Sequence, residues 1–243
     1  MLKRLIHYLL SEPRQHTMSL FLALLCVEVF VIGPLSRMEG ALTEIINGIV
    51  YSLLLVVGVL AMTPRHVTQV ISAAIVIIAI VVRWFANMVG SPQIFLWDRI
   101  SSLAAALVFL VLVLWQVYRE SPVTAHKIRG AVAAFLLLAI IFSFSFTLLE
   151  LLIPGSFSTT SPGRILNAHH VDAFLYFSVS TLTTVGFGDI TAVSPLARSL
   201  VMLESIIGTL YPPILIGFLV SLHIEWLRGK TRSLGSSGDE NGA

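Results

Sequence analysis

Residues 183–189 read Thr183-Thr184-Val185-Gly186-Phe187-Gly188-Asp189, a glycine-bearing stretch between apolar runs long enough to cross a bilayer. In an ordinary β-strand, successive backbone carbonyls point to opposite sides. A loop whose successive carbonyls point to the same side needs a different backbone conformation. Gly186 and Gly188 permit such a conformation, because glycine adopts a positive φ without a Cβ penalty. We expect Val185 and Phe187 to pack behind the loop, and Thr184 to add a hydroxyl below the carbonyls.

A G-x-G pair also occurs in nucleotide-binding loops. That motif needs a third glycine, in the pattern G-x-G-x-x-G between a strand and a helix. Residues 186–191 read Gly-Phe-Gly-Asp-Ile-Thr, and the flanks are predicted membrane helices. The pattern therefore disfavours a phosphate-binding loop.

The sequence TVGFG at residues 184–188 resembles the TVGYG loop of the potassium channel family. In that family, four copies of the loop replace the water shell of an ion with backbone carbonyl oxygens. The resemblance is tightest over residues 171–222. It implies that K⁺ is the permeant ligand, that no other cofactor is needed, and that the chain forms a homotetramer, since one chain supplies one loop. The proposed ion ligands are Thr184, Val185, Gly186, Phe187 and Gly188. We call residues 183–189 the filter loop.

The composition places the chain in a membrane. Of its 243 residues, 56% are hydrophobic and only 12% are charged, with a mean hydropathy of +0.92. Soluble domains carry roughly 25% charged residues. The chain is therefore predicted to be an integral membrane protein, and its net charge of +2 is too small to indicate a nucleic-acid partner.

Apolar runs predict an all-α membrane protein with six transmembrane helices, a re-entrant pore helix and the filter loop. A spanning helix needs about 20 mostly apolar residues. The six runs cover residues 18–35, 45–62, 67–82 (with 89 as an alternative end), 100–118, 131–153 and 200–222. The run at residues 171–183 is too short to span, and is interpreted as the pore helix.

Four regions follow from this pattern. Residues 1–16 are predicted to form an amphipathic interfacial helix, with an ordinary cytoplasmic helix as the alternative. Residues 17–120 form a four-helix domain resembling a voltage sensor, residues 121–228 form the pore domain, and residues 229–243 form a disordered tail rich in Gly and Ser.

The distribution of basic residues predicts the orientation. With both termini in the cytoplasm, ten of the 15 lysines and arginines fall on the inner side and five on the outer side. Cytoplasmic loops are enriched in these residues. We therefore expect the filter loop at the outer face of a plasma membrane.

Four residues are predicted to support the filter loop: Thr183, Asp189, Ser180 and Tyr176. Asp189 is expected to anchor the loop by a hydrogen bond. Related channels often place a carboxylate in the pore helix to partner this Asp, and Ser180 occupies that position here. Tyr176 is expected to form part of an aromatic cuff.

The last helix carries the predicted inner cavity and gate. Pro212 and Pro213 should kink it, because proline removes a helix hydrogen bond. Gly208 lies where similar channels carry a hinge glycine, and a static kink is the alternative. Thr209, Pro212, Ile216 and Val220 share one helical face and are predicted to line the cavity. Val220 and Ile224 are the candidate constriction, with the filter itself as the rival gate.

The predicted core of the fourth helix, residues 101–116, has no charged residue. A steep voltage response needs about 3 to 4 gating charges per subunit, so weak voltage dependence is expected. Arg99 is expected to lie at a helix end. Glu28 is expected to pair with Arg83, or else to be protonated or exposed to water. Glu204 is expected to hydrogen-bond the pore helix or a neighbouring subunit.

The leading hypothesis is a passive, potassium-selective channel, and not an enzyme. The alternatives are a weakly selective cation channel and a non-conducting accessory subunit that keeps the pore fold. A secondary transporter is disfavoured, because its paired broken helices in two repeats are not found.

Overall fold

The computed structural model describes residues 15–32, 41–62, 66–89, 91–118, 125–160 and 171–239. Most of the predicted interfacial helix at residues 1–16 therefore lies outside the described residues. The predicted tail overlaps them only as far as residue 239.

The described chain is almost entirely helical, as the sequence predicts. Seven α-helices and two short strands follow one another. The helices are α1 (Gln15–Val27, continued by a π-helical turn, Glu28–Ile32), α2 (Ala41–Met62), α3 (His66–Val89), α4 (Pro92–Tyr118), α5 (Ala125–Leu152), α6 (Val171–Leu182) and α7 (Pro195–Asp239); the strands are β1 (Phe157–Thr159) and β2 (Ile190–Ala192).

Four of the described helices are long and apolar enough to cross a membrane. Their apolar spans are Val70–Val89, Gln93–Tyr118, His126–Leu152 and Pro195–Leu222. The apolar parts of α1 and α2, Thr17–Ile32 and Ile45–Ala61, are shorter. An integral membrane protein is thus supported, while the count of six spans stays a prediction.

Helix α4 begins at Pro92 and not at residue 100, where the apolar run begins. Proline is well suited to the first position of a helix, because its fixed φ is already helical and its missing N–H is not needed there. Helix α3 continues to Val89, which confirms the longer of the two predicted ends of the third run. Arg83, Asp98 and Arg99 therefore lie inside helices, and not in a loop as the orientation count assumed.

Helix α7 continues to Asp239, so the prediction of a disordered tail from residue 229 is wrong over the described part. Gly and Ser weaken a helix by roughly 1 kcal/mol or less per residue. Once a helix has been nucleated, each further residue adds one hydrogen bond. The long membrane segment supplies that nucleus.

Two hydrophobic clusters share helix α5. The first joins α5 to all four helices α1–α4. In it, Phe21 and Phe109 meet edge to face, with ring centroids 5.9 Å apart. Gly58 makes this contact possible, since a Cβ there would lie 2.9 Å from the Phe109 ring. The second cluster joins α5 to α6, β1 and α7. Helix α5 therefore packs on one side against α1–α4 and on the other side against the elements that carry the filter loop.

Candidate functional site

Helix α6 leads into the filter loop. It has 12 residues, which at about 1.5 Å per residue gives a length of roughly 18 Å. The hydrocarbon core of a bilayer is about 30 Å thick. The helix is thus too short to span, and its bounds agree within one residue with the predicted pore helix.

The backbone of the filter loop alternates in a regular way. Thr184, Gly186 and Gly188 have φ angles of 62°, 56° and 77°. Left-handed residues at every second position allow successive carbonyls to face one side, which a strand cannot do. A positive φ is expected from the sequence at the two glycines, but not at Thr184. A β-branched residue at positive φ is an outlier, and such strain often marks a functional site.

The N-terminal end of the filter loop is hydrogen-bonded to the last turn of α6. The backbone N–H groups of Val185 and Gly186 both donate to the carbonyl oxygen of Ser180, at 2.9 and 3.1 Å. The N–H of Thr184 donates to the Thr181 carbonyl at 3.0 Å. Carbonyls in the last turn of a helix otherwise lack partners. The helix terminus thus directly positions the start of the loop.

The C-terminal end of the filter loop is attached to a two-stranded sheet, which was not predicted from the sequence. Strand β2 follows the loop and pairs antiparallel with β1, with Thr159 opposite Ile190. The N–H of Thr160 donates to the Asp189 carbonyl at 2.9 Å. Together these contacts hold the loop at both ends, and they leave Phe187 and Gly188 without backbone hydrogen-bond partners among the described residues.

The rear of the loop packs in part as predicted. The Phe187 ring stacks on Tyr176, with centroids 5.7 Å apart and planes 10° apart. Within one chain, however, Phe187 is 66% exposed and Val185 is 55% exposed. A single chain therefore does not fully cover the back of its own loop.

Among the predicted supporting residues, Ser180 and Asp189 act through their backbone carbonyls, whereas Tyr176 acts through its ring. The hydroxyls of Ser180 and Thr183 donate to carbonyls of their own helix, those of Phe177 and Val179, at 2.9 and 2.7 Å. Asp189 is held through its carbonyl by Thr160. Within the described residues, the Asp189 carboxylate has no recorded hydrogen bond to the loop, so its predicted anchoring role stays a prediction.

Residues 132–225 match a family model described as an ion channel. The match covers 94 of the 243 residues, and we call this matched segment the channel domain. The matched segment runs from α5 through α6 and the filter loop into α7. It agrees with the resemblance to the potassium channel family, and it does not extend over α1–α4. Separate searches of curated proteins and of solved structures found no match to the chain.

Glu150 supports the channel domain in a way that the sequence analysis missed. Its two carboxylate oxygens accept hydrogen bonds from the N–H groups of Gly155 (2.7 Å) and Phe157 (3.1 Å). The carboxylate thus holds the turn between α5 and β1, and so the strand against which β2 pairs. A lone carboxylate at the end of an apolar run, just before Pro154-Gly155, was the available signal.

Gly208 makes a close packing contact in the channel domain, and its predicted hinge role stays a prediction. A Cβ at this position would lie 2.1 Å from the Leu182 carbonyl oxygen. The residue is buried, so α7 touches the last residue of α6 there. By contrast, Gly217 has no atom within 4 Å of such a Cβ. The flexible part of α7 is therefore expected on the C-terminal side of Gly208.

The other predicted cavity and gate residues lie on α7 with little cover from their own chain. Ile216, Val220 and Ile224 are exposed, as are Thr209 and Pro213, while Pro212 is half-buried. Tyr211, just before the prolines, donates its hydroxyl to the Ala131 carbonyl of α5 at 2.9 Å. Cavity lining and gating by this segment stay predictions.

A buried charge cluster occupies the four-helix domain. Asp98 Oδ2 lies 3.0 Å from Arg83 Nη1 and 2.9 Å from Arg99 Nη2, and all three side chains are buried. Arg99 also lies over the rings of Phe95 and Phe144, the latter on α5 of the channel domain. The cluster therefore joins α3, α4 and α5.

This cluster corrects two expectations. The direct partner of Arg83 is Asp98, and not Glu28, because α4 begins early enough to bring a carboxylate opposite α3. Arg99 is buried in an ion pair and does not extend from a helix end to the headgroups. Glu28 instead lines a cavity of about 50 Å³ between α1, α2, α4 and α5.

Proposed function

We propose that the protein is a potassium-selective channel that conducts K⁺ passively through a pore built from four copies of the chain. The observation that carries the proposal is the alternation of left-handed backbone at Thr184, Gly186 and Gly188. In a loop anchored at both ends, this alternation supports a column of carbonyl oxygens. Such a column is the potassium-binding element of the resembling family.

The unequal burial of α5 and α7 within one chain supports an assembly of several chains. Of the span in α5, 67% is buried within the chain, whereas only 6% of the span in α7 is buried. Lipid can cover an apolar helix, but it cannot satisfy the exposed polar backbone of residues 183–188. Irregular backbone at membrane depth must line water or be buried in protein. Four loops around one axis meet that requirement.

We place the filter loop at the outer face of the plasma membrane, with both termini in the cytoplasm. When every basic residue inside one of the four apolar spans is left out, the outer side loses Arg83, Arg99 and Arg198, and the inner side loses Lys127 and Arg129. Two basic residues then remain on the proposed outer side and eight on the inner side. The bias of loop charge thus becomes stronger than the sequence count suggested.

The purified full chain, reconstituted in a planar bilayer with K⁺ on one side and Na⁺ on the other, is expected to pass current that reverses near the K⁺ equilibrium potential. The physical reason is the carbonyl column, which replaces the hydration shell of the ion. Reversal potentials are the measurement. A reversal near zero would indicate a weakly selective cation channel, and a reconstituted tetramer without current would indicate an accessory subunit.

Opening is expected to depend only weakly on voltage. Asp98 and Arg99 are neighbours on α4 with opposite charges, so a rigid movement of α4 transfers almost no net charge. One charge crossing the field is worth about 2.3 kcal/mol per 100 mV. Conductance recorded over a wide voltage range should therefore rise with a shallow slope. A slope equivalent to about 3 to 4 charges per subunit would rule out this explanation.

A further inference from the structure

Helix α7 contacts α6 at two positions that are one helical turn apart on both helices. Glu204 of α7 meets Ser178 of α6, and Gly208 of α7 meets Leu182 of α6. Residues four apart lie on the same face of a helix. The matched spacing on both helices makes these two contacts a single line of attachment, which we call the α6–α7 seam.

The first contact of the seam is polar and completely buried. Glu204 and Ser178 are both 0% exposed, and Ser178 Oγ lies within hydrogen-bond distance of Glu204 Oε1. The same hydroxyl lies 2.8 Å from the Ala139 carbonyl of α5. A buried polar group that loses its partner costs more free energy than the bond itself contributes. One hydroxyl thus joins α5, α6 and α7.

The second contact of the seam is backbone packing. A Cβ on Gly208 would lie 2.1 Å from the carbonyl oxygen and 2.8 Å from the carbonyl carbon of Leu182. A side-chain rotation cannot relieve a clash with backbone, so α6 or α7 would have to move. Leu182 is the last residue of α6, and Thr184 begins the left-handed alternation two residues later.

The seam brackets the residue that holds the filter loop. Ser180 lies between Ser178 and Leu182, and its carbonyl accepts the N–H groups of Val185 and Gly186. A shift of α6 at either contact therefore moves the acceptor that fixes the start of the carbonyl column. No side chain of the filter loop needs to touch α7 for this to happen.

We propose that Glu204 and Gly208 are positioning residues for the filter loop, acting through α6. In this arrangement Glu204 works as a hydrogen-bond partner of Ser178 and not through its charge. Displacement of the upper part of α7 then changes ion selectivity directly, while bending on the C-terminal side of Gly208 does not. This inference rests on the proposed function, because it assumes that the filter loop selects the ion.

The test compares potassium-to-sodium permeability ratios of reconstituted full-length variants with their assembly by size-exclusion chromatography. Glu204→Ala removes a buried hydrogen bond, and Gly208→Ala adds a Cβ that forces α6 or α7 to move. Each variant is expected to lower the ratio about tenfold. Glu204→Gln should keep a ratio near that of the wild type, because its amide can still bond Ser178.

Two matched controls lie on the same helix. Gly217→Ala adds a Cβ where no atom lies within 4 Å. Ser205→Ala removes a hydroxyl that bonds only the Val201 carbonyl of its own helix among recorded contacts. Both are expected to leave the permeability ratio unchanged, so a general response of α7 to substitution can be recognised.

The outcomes separate this inference from the proposed function. If the wild type itself does not select potassium, the proposed function fails. If the wild type is selective and assembled Glu204→Ala and Gly208→Ala are equally selective, the positioning role is wrong. Equal loss in Glu204→Gln and Glu204→Ala overturns the hydrogen-bond role. Should either alanine variant fail to assemble, Ser178→Ala, which removes one oxygen, decides: an unchanged ratio contradicts the proposal and a reduced ratio supports it.

Discussion

Replacement of Gly186 by alanine is expected to abolish potassium current without preventing assembly of the chain. Gly186 has a φ of 56°, and a Cβ there would meet no atom within 4 Å. The penalty is therefore conformational, about 1–2 kcal/mol for an L-residue in the left-handed region. In the proposed tetramer this penalty applies four times around one axis. A peptide that rotates to relieve it removes its carbonyl from the column.

The matched control is Gly155→Ala. Gly155 has a φ of 82° and equally open space around its Cβ position, but it lies in the turn between α5 and β1. The substitution imposes similar backbone strain outside the filter loop, and current should persist. Bilayer recordings and size-exclusion chromatography of both variants are the measurements. Normal selective current from assembled Gly186→Ala would show that left-handed backbone at this position is not required for conduction.

Replacement of Asp98 by asparagine is expected to destabilise the four-helix domain by about 3–5 kcal/mol, the usual cost of removing one partner from a buried ion pair. Asp98 is 1% exposed and lies between two buried guanidinium groups. Asparagine keeps the shape of the side chain but leaves both positive charges uncompensated by it. A large fall in the thermal unfolding temperature, or in the yield of folded protein in detergent, is the expected result.

Two comparisons make this prediction specific. Gln93→Ala changes an exposed residue on the same helix and should alter stability by no more than about 0.5 kcal/mol. Arg83→Gln, alone and together with Asp98→Asn, completes a double-mutant cycle that should be clearly non-additive, because the two groups are in contact. If Asp98→Asn is as stable as Gln93→Ala, the ion pair does not hold α3 against α4.

The bounds of α6 and the glycine conformations were predictable because their signals are local. A short apolar run followed by glycine predicted the end of α6 within one residue of Leu182. The G-x-G pair predicted positive φ at Gly186 and Gly188, which the structure shows. The left-handed Thr184 was not predictable in this way, since its conformation contradicts the intrinsic preference of threonine.

The charge cluster could not be predicted, because hydropathy places charged residues in loops. Asp98 and Arg83 are 15 positions apart, and they meet only because α3 and α4 extend towards each other and form a hairpin. Burial of each charge becomes tolerable through its partner. The apolar pattern of α3 or of α4 alone does not show which charged residue will lie opposite on the other helix.

The amino-acid sequence by itself determined that this chain is a helical membrane protein, that α6 stops short of spanning, and that a glycine-bearing loop follows it. Each of these depends on residues that are neighbours along the chain, through hydrophobicity, helix length and the freedom of glycine.

Only the tertiary structure decided what Gly208 and Glu204 do. Glycine suits both a hinge and a close backbone approach, and the Leu182 carbonyl against Gly208 shows that the close approach is present. A membrane carboxylate can face several partners, and Ser178 of α6 is the one that it meets. The physical reason is that packing contacts depend on which helix lies opposite, a property of the folded chain that no single stretch of sequence contains.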